Sequence, residues 1–186
     1  DDEEPLSMHE LQNLMHQLIT GGYETTQSAI NHGMWALIRF PEIADKINED
    51  DSLLKPFTEE VLRWESPVQF LLRRTQKDVE VSGTMIPKDS MVMMGYGPAN
   101  RDESKFSCPH QFKLDREGVG AHVAFGSGAH HCPGALLGRQ EMMRSFKFLI
   151  QRLKNIKLDK PLQEPVHNFS MFFMPMKEFF ITFDKR

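Results

Sequence analysis

Cys132 lies in Phe125-Gly126-Ser127-Gly128-Ala129-His130-His131-Cys132-Pro133-Gly134, a glycine-rich stretch just ahead of a long helical pattern. A cysteine there meets the first backbone N–H groups of the helix, whose partial positive charge favours ionised sulfur and offers a thiolate to a metal. Gly126, Gly128 and Gly134 let the backbone turn tightly and approach something flat and bulky. A lone cysteine is more often a buried structural residue, and this glycine frame argues for the ligand instead. Glu24-Thr25, behind Gly21-Gly22, sets a hydroxyl next to a carboxylate, a pair suited to relaying protons through ordered water. The plain alternative is a threonine bonded back to its own helix and a glutamate on a wet face. Glu60 and Arg63, three apart in a helical pattern, share one face as an ion pair.

The cysteine stretch reads F-G-x-G-x-H-x-C-x-G with every specified position filled, and it resembles the haem-ligand loop of the cytochrome P450 family, the haem-thiolate monooxygenases. Glu60-Val61-Leu62-Arg63 looks like the family's E-x-x-R. Gly21-Gly22-Tyr23-Glu24-Thr25-Thr26 resembles its oxygen-activating segment A-G-x-E-T-T, with Gly21 in place of alanine. The three segments come in the family's order with similar separations. The family's domain is about twice as long, so the resemblance implies a single partial domain, the C-terminal half, with the N-terminal half absent.

The resemblance implies haem b with Cys132 as the axial ligand of its iron; a thiolate there pushes electron density that favours O–O cleavage. Phe125, Gly126 and Gly134 frame the ligand, and His130 lies near a haem propionate. Arg73 is the other propionate partner, its guanidinium pairing with a carboxylate in a forked geometry; neighbouring Arg74 leaves that register open by one residue. His131 occupies a variable position. Thr25 and Glu24 deliver protons, while Gly21 and Gly22 leave space for O2 and loosen the helix locally. Arg116 joins Glu60 and Arg63 in a structural cluster, because Gln111 stands where the family commonly has an arginine and bacterial members supply one four residues after the Phe. Val68, Gln69, Phe70 and Leu71, the tail turn around Pro175-Met176, and Thr20 with Gly21 face the substrate.

The implied activity is insertion of one oxygen atom from O2 into a small hydrophobic substrate, with electrons from NAD(P)H through a ferredoxin or similar partner. Arg139 and Arg144 are candidates for meeting such an acidic partner. Keeping Glu24-Thr25 favours O2 over peroxide chemistry. The alternative is a catalytically incomplete C-terminal fragment, acting as a haem-binding or interaction module and completed by the missing half or by homodimerisation.

The composition agrees with a globular protein: 186 residues, 40% hydrophobic, with a formal net charge of −4. No basic field favours nucleic acid. Only Cys108 and Cys132 occur, without C-x-x-C spacing, which argues against a disulfide scaffold or zinc site and suits a reducing cytoplasm. Cys108 reads as a partly buried small residue. No run of 18 apolar residues spells a membrane segment, and the acidic start is unlike a signal peptide.

The fold class expected is mainly α with small antiparallel sheets. Ser7-Met8-His9-Glu10 reads as a capping box opening a helix that keeps apolar spacing until Pro41. Shorter helices follow over Glu42–Glu49 and Pro56–Trp64, the second closed by Ser66-Pro67. Phe70–Arg74, Val79–Val81, Thr84–Ile86 and Met91–Met94 read as one small antiparallel sheet. Ala99–Val123 is a long ordered loop. Pro133–Leu153 is the helix behind the cysteine, and Asn168–Phe183 reads as two strands joined by a turn.

Overall fold

The computed structural model describes residues 5–160, 166–168 and 170–186. Helix α1, Met8–Arg39, starts on the expected capping box: Glu10 N donates to Ser7 Oγ at 3.3 Å and Ser7 N donates to the Glu10 carboxylate at 2.8 Å. It runs as unbroken α-helix through Gly21-Gly22. The local irregularity expected there is absent: in a helix of 32 residues, two interior glycines cost about 1 kcal/mol each, too little to interrupt it. Helix α2 spans Pro41–Glu49 and α3 Leu54–Trp64, followed by the long helix α5 over Ala135–Arg152.

The core lies where the second half of α1 meets α2, α3 and α5, with Met34, Leu37, Ile47, Phe57, Val61, Met142, Phe146 and Ile150 buried together. Gly33 permits the α1–α5 contact, since a Cβ on it would fall 2.1 Å from Phe146 Cζ. The first half of α1 contributes nothing to this core: Leu11, Leu14, Met15, Leu18 and Ile19 all stand exposed.

Strands β1 (Phe70–Arg74), β2 (Val79–Val81), β3 (Thr84–Ile86) and β4 (Met91–Gly95) form two ladders, β1 with β4 and β2 with β3, rather than one sheet. The inner hairpin turns on Ser82-Gly83, both at positive φ, and its own short ladder is complete before it reaches the outer pair. The short helix α4, Tyr96–Ala99, continues directly from β4. The tail also differs from expectation. Strand β8 (Ile181–Lys185) pairs with β5 (Leu153–Leu158), which leaves α5 without a break, and β7 (Met176–Glu178) pairs with β6 (Val166–His167). Residue Phe169, inside the expected tail span, lies outside the described residues.

Cys108 is exposed, contrary to expectation. Its backbone has φ 47°, and its carbonyl turns inward to accept from Arg116 Nη2 at 3.4 Å, which leaves the side chain outside. Among the described residues no helix is long and apolar enough to cross a membrane.

Candidate functional site

A cavity of about 320 Å³ separates α1 from the cysteine loop. Gly21, Thr25, Thr26 and Ala29 line it from α1, and Phe125, Gly126, His130, Cys132 and Pro133 from the loop; Arg73 on β1 and Tyr96 at the start of α4 close one side. Segments more than a hundred residues apart in sequence, Gly21-to-Thr25 and His130-to-Cys132, therefore face one space.

The loop holds its shape through its own backbone. Gly126 takes φ 70°, which L side chains resist, and Cys132 N donates back to Phe125 O at 2.9 Å. Ala135 N donates to Cys132 O at 3.2 Å, so the sulfur-bearing residue sits at the mouth of α5. Gly134 does not line the cavity, but a Cβ there would come 3.8 Å from Cys132 Sγ. His131 Nδ1 lies 3.3 Å from Gly126 O, on the loop's own backbone, whereas His130 lines the cavity.

On α1, Thr25 Oγ1 donates to Gly21 O at 2.7 Å and lines the cavity. Glu24 is exposed and off the cavity wall, as is Gly22. Successive helix positions point about 100° apart, so neither follows its neighbour inward. Arg73 lines the cavity, while Arg74 pairs with Asp89 at 3.2 Å on the surface.

Of the expected substrate-facing set, Val68, Leu71 and Gly21 line the cavity, and Gln69, Phe70, Met176 and Thr20 do not. Gln69 Nε2 donates to Ser66 O at 2.6 Å and its side chain packs on Gly97. Phe70 packs against Gly95, Met176 is held in the β6–β7 ladder, and Thr20 Oγ1 donates to His16 O at 2.8 Å. Phe173 stands in the wall instead, brought there by the bridge between Val68 and Phe173.

Glu60, Arg63 and Arg116 converge. Arg63 donates Nε and Nη2 to Glu60 at 2.7 and 2.8 Å, and Arg116 Nε reaches the same carboxylate at 2.9 Å. Gln111 joins through its backbone carbonyl, which accepts from Arg116 Nη2 at 2.6 Å.

A neighbouring cluster was not anticipated from the sequence. Arg139 donates to Glu59 at 2.7 and 3.0 Å, His122 Nε2 lies 2.9 Å from the same carboxylate, and the Arg139 guanidinium carbon sits 4.4 Å from the centre of the Phe125 ring. Burial alone raises the Glu59 carboxyl, but hydrogen bonds from His122 and Arg139 and the Arg139 charge overcome it and bring its pKa to about 2. Arg139 is thus committed to holding the cavity floor through Phe125 and is not a free surface cation; Arg144 is exposed. A second consecutive acid in a helix otherwise buried, Glu59 before Glu60, was the available signal.

The family model described as Cytochrome P450 matches residues 1–183. This chain belongs to the cytochrome P450 family. It is 38% identical over 170 residues to "Cytochrome P450 CYP107DY1" of Priestia megaterium, covering 91% of the chain and 41% of that protein. It is 38% identical over 183 residues to "Methyl-branched lipid omega-hydroxylase" of Mycobacterium bovis, covering 97% of the chain and 42% of that protein. The solved structure of cytochrome P450 CYP109Q5 from Chondromyces apiculatus superposes with a TM-score of 0.93 at 35% identity, covering all of this chain and 47% of the other. The chain therefore has the cytochrome P450 fold over its whole length and spans about two-fifths of the curated relatives it matches. The family implies a haem cofactor.

Proposed function

We propose that this chain carries the cofactor-facing part of a haem-thiolate monooxygenase, with Cys132 as the protein's one bond to iron. The observation that carries this reading is the meeting of Cys132, His130, Arg73 and Thr25 around one cavity. The donor set fits haem b: one thiol, two basic side chains for two carboxylates, and apolar wall between them. Among the described residues no three His, Cys, Asp or Glu side chains converge as a metal site of their own. When bound, haem supplies O2 activation and transfer of one oxygen atom to substrate, with electrons from NAD(P)H through a ferredoxin-type partner.

The protein's own work is positioning and proton handling. Phe125 O and the mouth of α5 fix Cys132 at the cavity. Thr25 Oγ1 donates a hydrogen bond to Gly21 O, which leaves the lone pairs of its oxygen free to accept from water in the cavity. Glu24, exposed on α1 and off the cavity wall, can take part only as the outer, solvent-side end of such a relay. Val68, Leu71 and Phe173 form an apolar wall that suits a small hydrophobic substrate, and the relative named a methyl-branched lipid omega-hydroxylase also acts on an apolar class of molecule.

The test is the absorption spectrum of the reduced, carbon-monoxide-treated chain after haem loading. A strongly red-shifted Soret band, lost in Cys132→Ser, is expected. A band typical of histidine ligation, or survival of the red-shifted band in the variant, overturns the assignment.

A second reading rests on the exposed apolar run Leu11, Leu14, Met15, Leu18 and Ile19. Here the chain acts as a C-terminal fragment that binds haem or a partner and turns over only when that face is covered, by the rest of a cytochrome P450 domain or by a second copy. A monodisperse, active monomer in sedimentation would exclude it.

A further inference from the structure

We propose that Tyr96 is a third donor to the carboxylate edge of the cofactor, acting beside Arg73 and His130; this rests on the haem reading above. Tyr96 is the first residue of α4, immediately after β4, and β4 pairs residue by residue with β1, where Arg73 sits opposite Val92. Its backbone is tied to that same sheet, with Tyr96 N donating to Gln69 O at 2.8 Å and Gly97 N to the same oxygen at 3.2 Å. Tyr96 and Arg73 therefore project from one rigid unit, and both line the cavity that Cys132 and His130 line from the loop.

The phenol also borders the loop's tight turn. A Cβ placed on Gly126 would lie 3.9 Å from both Cε1 and the hydroxyl oxygen of Tyr96, so the ring lies beside the turn that leads to His130. Tyr96 is half-buried and lines the cavity, and among the described residues its hydroxyl makes no protein hydrogen bond, so it is free to donate into that space. An anionic oxygen carried by the cofactor is a fitting acceptor there, since an O–H donor to a carboxylate makes a short, strong bond. Arg73 is exposed, with Nη1 already donating to Leu72 O at 2.9 Å, and His130 is exposed too. A neutral, half-buried donor on a short rigid helix adds orientation that those two flexible or wet groups do not.

The experiment compares haemin and haemin dimethyl ester, whose carboxylates are blocked, titrated into the chain and into Tyr96→Phe, followed by Soret absorbance and by quenching of tryptophan fluorescence. Circular-dichroism melts of both chains establish that the variant is folded. The expected result is about tenfold weaker haemin binding by Tyr96→Phe, with the two chains equal for the dimethyl ester. Equal haemin affinity overturns the role of Tyr96 and leaves the haem reading intact. A tenfold loss that persists with the ester also overturns it, because Tyr96 then acts through the loop. Absence of haemin binding by the folded parent chain overturns the haem reading and this proposal with it.

Discussion

Arg63 and Glu60 meet in a two-point bond, Nε to Oε2 at 2.7 Å and Nη2 to Oε1 at 2.8 Å, and neither side chain has any exposed surface. The remaining Arg63 nitrogen donates to the carbonyls of Asn100 and Pro109 at 3.0 and 2.8 Å, so one guanidinium pins the long loop beneath the cysteine to α3.

Glu60→Gln should therefore be costly. It leaves Arg63 and Arg116 buried together without their counter-charge, a loss of about 3–5 kcal/mol. Urea unfolding followed by circular dichroism is the measurement; a loss below 1 kcal/mol would show the cluster to be dispensable for stability.

Gly33→Ala should destabilise by a different route. The added methyl would fall 2.1 Å from Phe146 Cζ and 2.4 Å from Cε1, inside a ring that is itself fully buried. Overpacking of this kind costs about 1–3 kcal/mol. The double variant Gly33→Ala/Phe146→Leu, which makes room for the methyl, should lose less than the sum of the two single changes.

Thr25→Ala should separate haem binding from proton delivery. The hydroxyl lines the cavity and does not hold the fold, so spectra of the loaded chain should match the parent. In the monooxygenase proposed above, electrons should be diverted to hydrogen peroxide instead of product. Peroxide yield per electron pair consumed checks this, and unchanged coupling would remove Thr25 from the relay.

The parts of this site that sequence reveals are those written as local patterns. The capping box at Ser7 and the E-x-x-R face depend on residues a few positions apart and form as read, and the glycine-framed Cys132 stands at the cavity wall. Glu59 with His122 and Arg139 escaped notice because its members lie 63 and 80 positions apart, and no local spacing couples them. Gln69, Phe70 and Met176 are kept from the cavity by tertiary contacts that no local spacing encodes: Gln69 Nε2 donates to Ser66 O, Phe70 packs on Gly95 and Met176 sits in the β6–β7 ladder, which leaves Val68 and Leu71 to line it. The exposed half of α1 was equally unreadable. Its apolar spacing matches that of the buried half, and burial depends on what packs against it.

The remaining prediction concerns acid. His32, on α1, is 1% exposed, with Nδ1 3.0 Å from Glu65 O, while Nε2 has no hydrogen-bond partner among the described residues. The His167 ring on β6 lies 5.9 Å away, and the nearby Glu65 carboxylate is paired with Arg101 at 2.7 Å. Burial, reinforced by the neighbouring His167, lowers the His32 pKa from 6.5 to about 4. The folded chain then keeps His32 neutral where the unfolded chain protonates it. Stability is consequently undiminished above pH 6.5 and is lost as pH falls towards 4, by about 2 kcal/mol between pH 7 and pH 5. Glu59 acts in the same direction but in a lower window, since its carboxyl falls from 4.5 to about 2. Urea midpoints at pH 7 and pH 5 should converge in His32→Asn, which cannot titrate, and stay apart in the parent chain. An equal acid loss in both would assign that sensitivity to other groups.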